Sequence, residues 1–313
     1  SAPGNPFEQN IRVTTPVLGG DGRSVSRTED TRLVAGATVE LSPAWSAEVD
    51  FTWNRNFAAQ TQMPLSLATS ATSLVNSGAI DLFRDTNEHP VDFSEHLGLP
   101  SVTSPTHVRL RGLAIRFGGM LPWTMPGGAP SLSTLLERRE EKFDNYVTNP
   151  EAFGTIAYAR SQEVDSAYLE TRLPLVSGRN ARPGLRGLEM IVSARSDHYN
   201  LLAANAVPLA PGVPPAPPER ARTKFSSLDY TVAAKYQPVS GLALRASFGT
   251  GFTPPSLFQL VPSPKETIDA GLFGLTDPQR GGEPLGIIDY FYGGNPGLRP
   301  EQSESRSAGI VLE

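Results

Sequence analysis

Two stretches near the C-terminal end decide the fold: LRASFGTGFTPPS at residues 244–256 and GNPGLRPEQS at residues 294–303. In the first, apolar and polar residues alternate as in a β-strand up to Phe248, and Gly249 and Gly251 then interrupt the side-chain pattern. Pro254 and Pro255 follow and cannot donate ladder hydrogen bonds, so strand pairing must stop there. The stretch therefore predicts a strand that leaves its sheet abruptly.

The second stretch predicts a turn that leads into another strand. Asn295, Pro296 and Gly297 are residues that favour tight turns. Pro300 then leads the chain into the next predicted strand. The two stretches thus predict two strands joined by a long loop, and by themselves they indicate loop exits rather than ligand contacts.

The same alternation recurs in five segments. From Trp45 to Asn54, for example, every odd position is apolar and every even position is polar. Each segment therefore has one face suited to an apolar medium and one charged or hydroxylated face. A β-sandwich with one side in water gives the same pattern. The segments are residues 33–41, 45–54, 188–197, 228–237 and 242–248.

The connections between the predicted strands distinguish a barrel from a sandwich. They alternate strictly between short turns, such as Ser42-Pro43, and long loops. Short turns on one rim and long loops on the other are typical of up-and-down membrane barrels. The predicted strands are residues 31–41, 44–57, 106–117, 131–145, 156–175, 185–200, 225–237, 242–252 and 304–313.

Two segments depart from simple alternation. Val108 and Leu110 share one phase, whereas Leu113 and the apolar residues after it share the other, so we predict a β-bulge at Gly112. Residues 133–142 have the composition of a helix. We predict a strand there, because the topology requires a partner for the strand before it.

The two C-terminal stretches resemble the barrel of TonB-dependent outer-membrane receptors. The resemblance covers residues 130–313 best, and Thr253 stands where Arg is frequent in the family. The hairpin of Pro126-Gly127-Gly128 and the following Glu137-Arg138-Arg139 also resembles one that recurs in this family. The residues that carry the C-terminal match are Gly251, Phe252, Pro255, Ser256, Asn295, Pro296, Leu298, Pro300, Glu301 and Ser303.

The resemblance implies an all-β fold, an antiparallel up-and-down transmembrane β-barrel segment of about nine to ten strands. Family members close a barrel of 22 strands around a plug domain. They import scarce solutes such as a ferric siderophore, cobalamin or a glycan across the bacterial outer membrane, with energy delivered by the TonB complex. The implied partners are the plug domain, the TonB complex through an N-terminal part, outer-membrane lipid and an extracellular solute.

We further expect residues 1–313 to be a partial barrel domain that lacks the plug and the C-terminal strands. Residues 1–6 have no basic start or apolar stretch of a signal peptide, and the sequence ends within the strand predicted at 304–313. An incomplete barrel has two unpaired edges. We therefore expect an open, curved antiparallel sheet with long loops on one rim.

Composition and motifs argue against several other functions. The net charge of −5 gives no electrostatic footprint for nucleic acid, and the absence of cysteine leaves no disulfide or thiolate metal site. There is no glycine-rich phosphate loop and no Gly-x-Ser-x-Gly elbow, so we predict neither an enzyme nor a cofactor. Residues 88–96 contain two imidazoles and three carboxylates, but their spacing matches no helical ligand pair. We interpret them as a solvated loop rather than a metal site.

The weak candidates for ligand contact are polar residues on the face that would line a lumen. Each of them is also explained as part of a structural network or as a contact with the plug. The candidates are Glu48, Asp50, Arg195, Asp197 and Arg245, with Glu189, Asp229 and Lys235 on the same predicted face.

Two other protein classes stay open at this point. A secreted soluble β-rich binding or adhesion module would alternate in the same way, and a glycan-cleaving β enzyme would need two convergent carboxylates about 5–10 Å apart. The spacing of Trp45 and Trp53 favours a membrane barrel. Eight residues span roughly 26 Å of strand, which a tilt of about 40° reduces to about 20 Å of depth, near the separation of two aromatic girdles.

Overall fold

In the computed structural model, the long strands of the chain form one open antiparallel sheet. The structure describes residues 7, 23–63, 69–83, 85, 88–97, 101–148, 154–209, 212–261, 266–269, 275–290 and 294–312. Nine long strands within these ranges make the sheet. They are β1 Ser24–Ser42, β2 Trp45–Gln62, β3 Ser101–Met120, β4 Ser131–Phe143, β7 Arg160–Val176, β8 Gly187–Ala204, β10 Arg220–Val239, β11 Leu242–Thr253 and β16 Glu301–Leu312.

Shorter elements lie in the connections. Within the described residues, three short strands join the main sheet, four form two separate pairs, and the helical segments are α1 and two single 3₁₀ turns. No helix in the described parts of the chain is long and apolar enough to cross a membrane. These elements are β5 Tyr146–Thr148, β6 Gly154–Ala157, β9 Ala206–Leu209, β12 Glu266–Asp269 with β15 Ile287–Tyr290, β13 Thr276–Asp277 with β14 Glu283–Pro284, α1 Thr69–Ser77, and the 3₁₀ turns Ser94–His96 and Pro278–Arg280.

Each long strand pairs with its neighbours in sequence, which is the up-and-down order predicted. The order runs β1-β2-β3-β4-β7-β8-β10-β11-β16, and every one of these pairs is antiparallel. Among the described residues, β1 pairs only with β2, and β16 pairs only with β11. The sheet therefore has two free edges, and the predicted open all-β architecture is confirmed.

Turn lengths alternate along the sheet. The short connections are residues 43–44, 121–130, 177–186 and 240–241, and the long ones are residues 63–100, 144–159, 205–219 and 254–300. Because successive strands run antiparallel, all four short turns lie on one rim, here called the short-turn rim. All four long loops lie on the other, the long-loop rim, as predicted.

The strand predicted at residues 131–145 forms as β4 despite its helical composition. It pairs along its whole length with β3 on one side and with β7 on the other, for instance Leu136 opposite both Ile115 and Ala167. Two full ladders of backbone hydrogen bonds and two sets of cross-strand side-chain contacts outweigh a preference of a few tenths of a kcal/mol per residue. The tertiary context decides this element.

The predicted bulge at Gly112 is wrong. Gly112 pairs in continuous register with Thr52 and Arg139, and the irregularity in this ladder lies between Ala58 and Gln60, near the long-loop rim. The change of phase in the sequence therefore occurs without an extra residue in the strand. Arg109, Arg111 and Leu113 lie on one face, and the apolar part of that face ends between Leu113 and Arg111.

The strand predicted at residues 156–175 is divided in two. Residues 154–157 form β6, which pairs with β5 and β9 from the neighbouring loops, and β7 begins only at Arg160. The backbone N–H of Ala159 donates to the Asn145 side chain at 2.6 Å, which holds the step between the two strands. The long-loop rim is thus tied together by its own small strands.

Candidate functional site

The two faces of the sheet differ sharply in chemistry. Directly paired residues lie on the same face, so the register assigns every strand position to one side. The side that carries Val49, Leu136 and Leu228 is here called the apolar face, and these three side chains are 40%, 54% and 71% exposed. A contiguous exposed surface of large apolar side chains marks contact with another protein or with lipid.

This apolar face is bounded along the strands. Trp45 and Trp53 both lie on it, eight residues apart, and the Trp45 ring lies over Gly119 of β3, where a Cβ would clash with it. Trp53 pairs with Arg111, which faces Glu140 of β4. One row nearer the short-turn rim, Arg138 lies on the same face opposite Leu113, 3.5 Å and 3.6 Å from two carboxylates of β7. The apolar side chains therefore form a belt between the short-turn rim and a charged zone. That the two tryptophans mark membrane interfaces stays a prediction.

The opposite side, here called the polar face, carries all eight candidate residues. The rows of paired residues run continuously across it, for example Arg195 between Tyr168 and Asp229. The candidates on this face are Glu48, Asp50, Glu189, Arg195, Asp197, Asp229, Lys235 and Arg245. The structure thus places all eight residues on the polar face but does not bring them together into one site.

On β2 and β3, Arg116 bridges two of the candidates. Its guanidinium donates to Glu48 at 3.0 Å and to Asp50. The Arg116 and Glu48 side chains remain 44% exposed, so their attraction is screened by solvent. This triad is a polar surface network with room to contact another group.

Across β4, β7 and β8, a second network is more enclosed. Arg195 Nε donates to both carboxylate oxygens of Asp197 at 3.0 Å and 2.9 Å, and its Nη2 donates to Ser166 Oγ at 2.9 Å. The Ser166 hydroxyl also donates to Asp197, and Glu137 lies 3.6 Å from Arg195. The Asp197 side chain is only 8% exposed. Because its partners are all supplied by the wall, a structural role explains Asp197 well.

The third group lies nearer the short-turn rim. Arg172 forms an ion pair with Glu189, which faces Lys235 across the ladder, and Lys235 in turn faces Arg245. Neither Lys235 nor Arg245 pairs with a carboxylate within the described part of the chain, and both line a cavity of about 440 Å³. These two cations are the best placed of the candidates for contact with a further group, and that contact stays a prediction.

The two motif stretches meet in space. Their strand parts pair directly, with Gly251 opposite Ser303 and Phe252 opposite Gln302. Pairing between β10 and β11 ends at Gly249, and beyond that point the Phe252 ring reaches Tyr199 of β8, with ring centroids 5.8 Å apart. The motif therefore marks a junction of strands at the long-loop rim.

The loop parts of the motif also join each other. The backbone N–H of Asn295 donates to the carbonyl of Gln259 at 2.6 Å, and the N–H of Gly294 donates to Val261 at 3.1 Å. Asn295 closes its own turn by accepting from the N–H of Gly297 at 2.8 Å. A Cβ on Gly294 would overlap the Gln259 carbonyl, so glycine is required for this approach.

Residues 254–261, here called the rim segment, fold over the polar face. Leu257, Leu260 and Val261 are buried there against Leu201 and Ala203 of β8, with four partly buried apolar neighbours around them. The apolar run that follows Ser256 is the signal that could have predicted this cluster. The same segment covers Arg160, which the sequence did not single out.

Residues 88–96 form a turn with two buried anchors rather than a fully solvated loop. Val91 is largely buried and Phe93 is completely buried. The Asp92 carboxylate accepts the N–H of Ser94 at 2.8 Å, and this backbone hydrogen bond lowers the pKa of Asp92 below its ordinary value. No group of three or more potential metal ligands occurs among the described residues.

Comparison with known proteins assigns the family. Residues 2–313 match the family of TonB dependent receptor-like β-barrels. No curated protein matches the chain. Because the match extends over nearly the whole sequence, the chain belongs to the TonB-dependent receptor barrel family. This is a family of outer-membrane receptors and transporters and not of enzymes.

Proposed function

We propose that this chain forms part of the wall of an outer-membrane receptor that imports a scarce solute with energy from TonB. The solute classes are those of the family: a ferric siderophore, cobalamin or a glycan. The observation that carries the proposal is the contrast between the two faces of one sheet. A belt of exposed apolar residues on one side and a charged wall on the other suit lipid outside and water inside.

The free edges support a larger barrel. In a bilayer, unpaired strand edges leave backbone N–H and C=O groups without partners, so spanning sheets must close. Here β1 and β16 each have one unpaired edge within the described chain. We propose that further strands of the receptor pair with them, that a plug domain occupies the polar side, and that an N-terminal part of the receptor contacts TonB.

Uptake by the full-length receptor tests this function. The receptor would be expressed in outer-membrane-bearing cells that lack their own receptor for each solute, with and without functional TonB. We expect one of the three solute classes to accumulate only when both the receptor and TonB are present. Accumulation that does not depend on TonB would contradict the proposal.

Detergent dependence separates the proposal from the rival, a secreted soluble β-rich module. The apolar belt predicts that the receptor leaves the membrane fraction only with detergent. Recovery of the full-length protein from the aqueous fraction as a monodisperse species would favour the soluble module.

A further inference from the structure

Arg160 is a buried cation on the polar face at the long-loop rim. It is the first residue of β7 and lies opposite Phe143 of β4. Only 7% of its surface is exposed. Because it lies directly after the long loop of residues 144–159, it is close to the opening through which an extracellular solute would enter.

Two aromatic rings hold its guanidinium. The central carbon lies 3.6 Å from the centroid of Phe258 and 5.3 Å from that of Phe143. Phe258 belongs to the rim segment and is itself 63% exposed, whereas its neighbours Leu257 and Leu260 are buried. The Phe258 ring is therefore a cover between Arg160 and solvent, carried by a segment that is anchored at other positions.

No protein anion balances the Arg160 charge within the described chain. Its Nε–H is buried and has no hydrogen-bond partner, and no carboxylate forms an ion pair with it. Tyr146 is its ionisable neighbour, and a phenol is a weak partner for a cation. Contact with aromatic rings stabilises a desolvated cation by about 2 kcal/mol, less than the several kcal/mol that burial of an ion costs.

Two other arginines of the polar face, both more exposed than Arg160, have carboxylate partners. Arg195 has Asp197 and Glu137 as partners, and Arg172 has Glu189. Arg160 departs from this pattern at the one place where the rim segment folds over the wall. A planar guanidinium with a free N–H is the group that proteins use to bind carboxylate and phosphate in a fixed geometry.

We infer that Arg160 binds an oxyanion group, a carboxylate or a phosphate, of the solute that the receptor takes up, and that Phe258 covers this site until the solute displaces the ring. The inference rests on the proposed function, because it assumes that the solute approaches from the extracellular side. Binding is measured without transport, so a negative binding result and a negative uptake result can be distinguished. Since the ring must move, the apparent affinity is the intrinsic affinity reduced by the fraction of open molecules.

Thermal unfolding of the full-length receptor in detergent tests the site with simple probes. Sodium phosphate and sodium acetate would be titrated at constant ionic strength against sodium chloride, with wild type, Arg160→Gln, Arg160→Lys and Phe258→Ala compared. A ligand that binds only the folded state raises Tm as its concentration passes Kd. We expect at least one of the two oxyanions to raise Tm of the wild type above the chloride reference.

The variants have distinct expected outcomes. Arg160→Gln should need at least tenfold more oxyanion for the same shift, whereas Phe258→Ala should need at least threefold less because the cover is gone. Arg160→Lys keeps the positive charge and therefore serves as the test variant if Arg160→Gln does not fold. Its oxyanion-dependent rise in Tm should be smaller than that of the wild type. An unchanged response in Arg160→Gln, or no response in both wild type and Phe258→Ala, would overturn the inference whatever the uptake assay shows.

Discussion

The polar residues of the polar face differ in how deeply they are buried and in how many partners the protein provides for them. Asp197 is enclosed and receives hydrogen bonds from Arg195 and Ser166. Asp50 shares Arg116 with Glu48 and keeps 28% of its side chain exposed. Removal of one partner from an enclosed ion pair leaves the other charge uncompensated, whereas a more exposed charge is compensated by water and can contact a further group.

Substitution of Asp197 by Asn should therefore destabilise the receptor more than the same change at Asp50. Without the carboxylate, the half-buried Arg195 keeps the Ser166 hydroxyl and only the more distant Glu137 as an anionic partner, and we expect a loss of about 1–3 kcal/mol in the free energy of unfolding. Asp50→Asn should change it by less than about 1 kcal/mol, because Arg116 keeps Glu48. Urea unfolding of the full-length receptor in vesicles measures both. Equal losses for the two variants would contradict this ranking.

Substitution of Gly294 tests the contact between the loop parts of the two motif stretches. Replacement by Ala places a methyl group onto the backbone of Gln259, so the rim segment must shift. Overpacking of this kind costs about 1–3 kcal/mol, and we expect faster proteolysis within residues 254–261. Gly286→Ala is the matched control, because no atom lies within 4 Å of its added Cβ. Limited proteolysis with mass-spectrometric mapping reads out both variants, and identical cleavage rates would refute this contact.

Among the strands, β4 shows most clearly that neighbours decide the element. Residues 133–142 read alone favour a helix, and only the pairing with β3 and β7 makes them extended. The phase change near Gly112 has a related cause. Arg109 and Arg111 lie on the same face as Leu113, and β4 supplies charged neighbours across the ladder at that height, Glu140 opposite Arg111 and Arg138 opposite Leu113.

The two faces of β2 and β3 should respond oppositely to the same substitution. Val49 lies midway between Trp45 and Trp53 on the apolar face, and Ala114 lies on the polar face opposite Asp50. In a bilayer, Val49→Arg should destabilise the receptor by about 2–4 kcal/mol, as for arginine near the midplane of a lipid-facing strand. Ala114→Arg should change stability little, because Asp50 and Glu137 lie beside it in the ladder.

Reversible folding into lipid vesicles measures these two variants directly. The stabilities of both variants are also measured in detergent micelles, so that a belt in contact with lipid can be distinguished from a surface covered by a second protein layer. A Val49→Arg receptor that is as stable as Ala114→Arg in both media would place the apolar face in water.

At the level of the complete sheet, the free edges of β1 and β16 are the dominant feature. β16 has neighbouring residues of β11 on one side along its whole length, from Glu301 to Leu312, and no strand on the other among the described residues. An unpaired edge of this length is a site of aggregation in water and is not tolerated in lipid.

Hydrogen exchange tests whether further strands cover these edges. In the full-length receptor, we expect amides on both sides of β1 and β16 to exchange slowly. In residues 1–313 expressed alone in detergent, the amides of these two strands that point away from β2 and β11 should exchange at least tenfold faster, while β4 and β7 exchange equally in both proteins. Equal protection of the edge strands in both proteins would show that this chain completes its own sheet.

The sequence by itself determined most of the long strands, their order, the alternation of short turns and long loops, and the separation of most apolar from most charged residues onto two faces. These properties depend on local periodicity and turn chemistry, which a single chain displays in its residue order. Only the tertiary structure decided that Gly294 lies against Gln259, that the rim segment is buried on the wall, and that Arg160 is covered by Phe258 without a carboxylate partner. These contacts join residues that are far apart in sequence, so they depend on the register and curvature of the whole sheet, which no local pattern contains.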